Sequence, residues 1–143
     1  MSRHVLRRLA RLEGRLRRES CEAFLRAVRR SLKAGGRFAL QTGLLAEVIY
    51  AQQPMRRWFP FGDLFFLHET SSDPFTGTQT SSYVLIQDGR VERKQAVYQL
   101  YTLRELLRLL DAVGFTEVEV FGSPQREPFR VGSPGAWLVM RRG

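Results

Sequence analysis

The chain is short of the residues on which most catalytic and metal chemistry depends. Its 143 residues include one cysteine, Cys21, and two histidines, His4 and His68. A single cysteine excludes an internal disulfide and any cysteine-rich metal site. Two histidines this far apart, without a neighbouring cysteine or carboxylate pattern, do not make a metal centre. No Gly-x-Gly, phosphate loop or Gly-x-Ser-x-Gly nucleophile elbow occurs. Cys21 reads as a small helix residue, Glu69 and Asp73 as edge and turn charges, and Ser71-Ser72 as a polar turn entry. Long apolar runs are missing too. None approaches the roughly 20 residues of a membrane span, and the basic start of the chain is not followed by an apolar core. No membrane partner is expected, and the compartment expected is the cytoplasm.

What is present is enough for one domain with a core: 43% apolar and 11% aromatic residues rule out a disordered or fibrous chain. The net charge of +9 is unevenly placed, because residues 1 to 30 hold ten arginines against three glutamates and leave only +2 for the rest. Such an arm can neutralise phosphates. However, Val5, Leu9, Leu12 and Leu16 recur at helical spacing, and no aromatic residue interleaves with the arginines as a stacking platform for bases. The reading favoured is a basic amphipathic helical arm over residues 1 to 19, and a nucleic-acid partner is not expected. After Gly14, Ser20 is a candidate cap for a new helix, with Phe24, Leu25, Val28 and Leu32 as its apolar stripe. Whether residues 2 to 33 form one kinked helix or two is open at this level.

The chain turns on Leu32-Lys33-Ala34-Gly35-Gly36-Arg37-Phe38. A helix end needs a residue that tolerates positive φ, which Gly35 or Gly36 supplies, and residues 38 to 40 then begin a buried strand. Residues 44 to 52 follow as a short helix that must end by Pro54, and residues 56 to 61 as an irregular aromatic loop. Residues 63 to 101 read as an antiparallel meander of three strands (64 to 70, 80 to 87 and 91 to 101), with a tight turn at 73 to 77 and a type I′ hairpin at Asp88-Gly89. The most clearly marked helix comes next. Thr102 and Glu105 make a capping box, Leu103, Leu106, Leu107 and Leu110 the buried stripe, and Gly114 the stop. Residues 115 to 121 and 136 to 140 are strands, separated by a loop with three prolines.

Helix, Leu-Lys-x-Gly-Gly-Arg-Phe, strand resembles the joint between the fourth helix and fifth strand of class I S-adenosylmethionine-dependent methyltransferases, which usually carry proline where this chain has Ala34. The order that follows strengthens the resemblance. The inserted meander, Tyr101-Thr102-Leu103-Arg104-Glu105-Leu106, Gly114-Phe115-Thr116-Glu117-Val118, the Gly122-Ser123 loop and the apolar terminal strand are similar to the second half of small-molecule methyltransferases. The resemblance covers residues 20 to 142. It implies an α/β, partial Rossmann-like fold, whose mixed sheet sets a parallel strand beside antiparallel C-terminal strands. Residues 20 to 143 would be that segment, with the meander (63 to 101) as part of a lid over the methyl acceptor.

The resemblance also points to a site around the strand exit and the meander, where Tyr50, Trp58, Tyr98 and Tyr101 lie and Arg57 and Arg130 can hold an anionic acceptor. The plain alternatives are core packing for the aromatics and solvation for the arginines. His68 is the one acid/base candidate, against a structural role. Methyl transfer rests chiefly on positioning, so few catalytic residues do not count against it. S-adenosylmethionine is the implied cofactor. The family grips it through a glycine-rich loop after the first strand and an acidic residue ending the second. This chain has neither, and residues 1 to 19 are too few and too basic to hold three strands, so it is not expected to bind the cofactor alone. It reads as a truncated product, one piece of a split enzyme, or a degenerate relative kept for binding. The competing class is a non-catalytic interaction or dimerisation module, or a basic-arm polyanion binder. In the family the strand at 37 to 42 is interior, so a homodimer, or a chain supplying the missing strands, is expected to cover its edge.

Overall fold

The computed structural model describes residues 18 to 52 and 55 to 143. The stripe from Val5 to Leu16 and the number of helices before residue 18 lie outside the described residues. The elements are α1 (Arg18–Ser31), β1 (Arg37–Thr42), α2 (Ala46–Ile49), β2 (Met55–Phe61), β3 (Leu64–Asp73), β4 (Thr78–Gln87), β5 (Arg90–Gln99), α3 (Leu103–Val113), β6 (Phe115–Phe121) and β7 (Ala136–Arg142). No described helix is long and apolar enough to cross a membrane.

Ser20 lies inside α1 and not at its cap. Leu25 is buried and Val28 and Leu32 pack partly against the core, whereas Phe24 is 54% exposed, because neighbouring positions on a helix point about 100° apart. Gly35 ends the turn at φ +69. The Arg29 side chain ties α1 to the ends of other elements, donating to the Gly114 carbonyl at 3.1 Å and the Gly143 carbonyl at 3.0 Å.

β1 is an outer strand of a three-stranded sheet ordered β1-β7-β6, in which both pairings are antiparallel. The mixed sheet expected from the sequence is corrected here. β1 and β6 do run the same way, but β7 lies between them, so among the described residues no two parallel strands are neighbours and parallel pairing is confined to an isolated bridge between Leu45 and Tyr101. One face of this sheet is dry. Leu138 and Met140 of β7 are fully buried against Leu25, Leu106 and Leu110 from α1 and α3. The other face carries Ala39 and Gln41, both exposed, with Trp137 and Val139 half-buried beside them. Among the described residues, helices cover one face only.

The second sheet has four antiparallel strands in the order β2-β3-β4-β5. The meander therefore gains a strand, Met55–Phe61, where an irregular loop is expected. β2 is an edge strand, where the absent N–H of Pro60 breaks no ladder on its outer side. The turns follow the sequence closely: Asp88 and Gly89 have φ of 50 and 72, as a type I′ hairpin requires, and the Asp73 carboxylate accepts from Phe75 N–H at 2.9 Å.

α3 carries the complete capping box between Thr102 and Glu105, and Gly114 closes it in the left-handed region at φ 99. A side chain at Gly114 would also meet the Arg29 guanidinium, whose Nε lies 2.6 Å from the position of a Cβ. Replacing Leu110, fully buried, by alanine is expected to lower unfolding free energy by about 2–5 kcal/mol, and Thr102→Ala by about 1 kcal/mol. Phe75→Ala, at a side chain 99% exposed, should change it by less than about 0.5 kcal/mol. Denaturant titration followed by circular dichroism measures all three.

Candidate functional site

The two sheets meet where β1 ends. Thr42 Oγ1 accepts from Leu44 N–H at 3.1 Å, and Ala46 N–H donates to the Tyr101 carbonyl at 2.8 Å, beside the Leu45–Tyr101 bridge. The Glu47 carboxylate accepts the N–H of Leu103, the first residue of α3, at 3.0 and 3.1 Å. That places a negative charge on a helix N-terminus whose amides have no intrahelical partner. The Glu47 carbonyl accepts from Gly132 N–H at 3.0 Å and so holds the loop between β6 and β7 to the same joint.

Beside this joint, at the carboxyl end of β1, lies a hollow of about 160 Å³. Phe24, Leu25, Leu40, Leu44 and Leu106 give it apolar walls, and Cys21, Gln99 and Tyr101 lie along them. Burial pushes the Cys21 thiol up, while its hydrogen bond with Tyr101 acts the other way.

The four-stranded sheet has two unlike faces, because directly paired residues share a side. Arg57, His68, Tyr83 and Lys94 form one row across the four strands, and Ser72, Gln79 and Tyr98 another. Between them lie Thr70, Ser81 and Ala96, all buried. The His68 ring stacks on Tyr83 with centroids 4.7 Å apart and planes 9° from parallel, and the Tyr83 and Tyr98 hydroxyls are 3.4 Å apart. Burial, and secondarily the positive charge of Arg57, lower the His68 pKa below its ordinary value of 6.5. Three buried polar atoms on this face, His68 Nε2, Ser72 Oγ and Gln79 Oε1, have no hydrogen-bond partner among the described residues. The opposite face carries Trp58, 55% exposed, and the Arg56–Glu69 ion pair.

The structure thus separates the residues singled out in the sequence. Arg57, His68 and Tyr98 share a face, Trp58 lies behind it, and Tyr101 lines the apolar hollow. Tyr50, exposed just past α2, and Arg130, in the loop tied to Glu47, belong to the joint. Sequence reasoning missed Gln79, Ser72 and Tyr83, whose importance depends on cross-strand register, and Glu47, whose partner is 56 residues away. Among the described residues, no cluster of His, Cys, Asp and Glu could hold a metal ion.

No family model matches this chain, and no curated protein matches it by sequence. Solved structures do. The CcbJ methyltransferase of Streptomyces caelestis superposes with a TM-score of 0.69 at 18% identity, over 87% of this chain and 54% of its own. An S-adenosylmethionine-dependent methyltransferase of Clostridium acetobutylicum gives 0.69 at 11% identity, over 87% and 52%. A sugar N-methyltransferase from a Streptoalloteichus species gives 0.58 at 16%, over 91% and 51%. The chain has a class I methyltransferase-like α/β fold, and it spans about half the length of the structures it matches.

The lowered His68 pKa has a consequence with a definite sign. Below its ordinary value of 6.5 the unfolded chain takes up this proton more readily than the folded chain. The contribution of neutral His68 to stability is therefore present above that pH and is lost as pH falls toward the folded value. Proton NMR of the His68 ring should give a midpoint below 6.5, and Arg57→Ala should move it upward. A midpoint at or above the ordinary value would mean that the ring is solvated.

Proposed function

We propose that this chain forms the acceptor-side half of a small-molecule methyltransferase. In this reading the β1-β7-β6 sheet is part of a Rossmann-like sheet, and the four-stranded sheet is the lid over the methyl acceptor. The observation that carries it is the superposition of nearly the whole chain on about half of each methyltransferase. The one-sided sheet agrees: Ala39, Gln41, Trp137 and Val139 lie on a face that the described residues leave without helices, and β1 pairs along one edge. A strand with an unpaired edge accepts another strand. The missing half, whether a further segment or another chain, would add that strand, cover that face and bring S-adenosylmethionine to the acceptor.

Two of the structures matched are described as acting on sugars, and a hydroxyl-bearing amino sugar suits the lid face. Gln79 Oε1 needs a donor, whereas Ser72 Oγ and a neutral His68 Nε2 can take either role. A hydroxyl both donates and accepts, so it can pair with any one of them. His68 is the group that would take the proton released when an amine acceptor is methylated; burial keeps it in the neutral form that this requires, at a cost in basicity. Tyr98 would orient the acceptor through Tyr83, and Arg57 would hold any anionic substituent.

Two measurements test this. Calorimetric titration of the isolated chain with S-adenosylmethionine should give no appreciable heat, because the glycine-rich loop and its acidic partner are not in this chain. A micromolar dissociation constant would mean that the chain holds a cofactor site of its own. Titration of labelled protein with a methyl aminopyranoside should shift the resonances of His68, Ser72 and Gln79 at about 10 mM, and Gln79→Leu should abolish the shifts. Unmoved resonances in the wild type would contradict the acceptor assignment.

A further inference from the structure

We infer that the hollow at the carboxyl end of β1 is a binding site for a single uncharged aromatic ring, distinct from the polar face of the lid. Its volume of about 160 Å³ is of the size that admits benzene in an apolar protein cavity, and the hollow is open to solvent on one side. The walls come from three independently anchored pieces. α1 supplies Leu25, the end of β1 supplies Leu40, and the start of α3 supplies Leu106. Arg29 ties α1 to the Gly114 and Gly143 carbonyls, the β7 ladder holds β1, and Glu47 holds α3. Walls fixed in this way cannot collapse to fill the space, so a ligand regains dispersion contacts that the empty hollow forgoes.

The chemistry of the lining selects the ligand. Among the described residues no lysine, arginine or carboxylate lines the hollow, which disfavours an ion. Two of the polar side chains along it are already engaged. Gln99 Nε2 donates to the Gly77 and Leu100 carbonyls at 2.9 and 3.3 Å, and Thr42 Oγ1 accepts from Leu44 N–H at 3.1 Å. The raised pKa of Cys21 agrees with a desolvated wall. A sugar would lose its hydration here without gaining partners, whereas a ring loses little. Phe24, 54% exposed at the rim, offers an edge for an entering ring.

The inference does not rest on the methyltransferase reading, since it concerns binding without cofactor. It is tested with toluene as the probe and leucine-methyl-labelled full-length chain. Toluene should give saturable shifts with a dissociation constant of about 1 mM or tighter, and intermolecular NOEs to Leu40, Leu44 and Leu106. Methyl glucopyranoside at the same concentration should give neither. Leu44→Trp, which fills the hollow from its rim, should weaken toluene binding at least about tenfold, as should Cys21→Met from α1, each with an unchanged circular dichroism spectrum. Wild-type protein without these NOEs, a glucoside that competes with toluene, or toluene binding undiminished in a folded filled variant would each overturn the assignment.

Discussion

The crossing at Leu45 and Tyr101 is the constraint on which the rest of this structure depends. The chain leaves the first sheet at Thr42, makes the whole second sheet, and returns at Leu100 to begin the helix that packs on the first. Without a fixed crossing the four-stranded sheet would hang from two strands of backbone. Ala46 N–H to the Tyr101 carbonyl and the Glu47 carboxylate to Leu103 N–H supply it, and the latter is a charge-assisted bond at a helix N-terminus. Such bonds contribute about 1.5–3 kcal/mol each. The same residues fix the joint against the loop of Gly132, so one four-residue helix, α2, ties three parts of the molecule together.

That joint divides the chemistry of the molecule. On its core side are leucines from α1, β1 and α3, with a hollow that no charged group among the described residues lines. Across the lid sheet, hydrogen-bonding groups and one depressed histidine share a face. The contrast comes from register. With strands paired residue against residue, Arg57, His68, Tyr83 and Lys94 must point the same way, while Trp58, Leu67, Val84 and Arg93 point the other.

The sequence was legible where local chemistry decides the outcome. The helix stop at Gly35, the Asp88-Gly89 hairpin, the Thr102–Glu105 box and Gly114 each depend on a few neighbouring residues, and each stands where expected. It was illegible where partners are distant. The strand Met55–Phe61 exists because β3 offers it a ladder, against the local signal of Pro60, and β7 separates β1 from β6 through a pairing about 100 residues away in the chain. The candidate site divides on the same line. His68, Arg57 and Tyr98 could be singled out by residue type, but their common face, the absence of Trp58 from it, and the part of Gln79 required the register.

The central proposal is that β1, which among the described residues pairs along one edge only, receives another strand along the other, and backbone hydrogen exchange tests it most directly. The ladder to β7 starts with Arg142 N–H donating to the Gly36 carbonyl at 2.8 Å. By antiparallel alternation, the amides of Phe38, Leu40 and Thr42 then point at β7, and those of Ala39 and Gln41 point away from it. In the isolated chain the first group should be protected and the second should exchange at rates near those of open coil. Equal protection of Ala39 and Gln41 would mean that the edge is already paired, and would contradict the account.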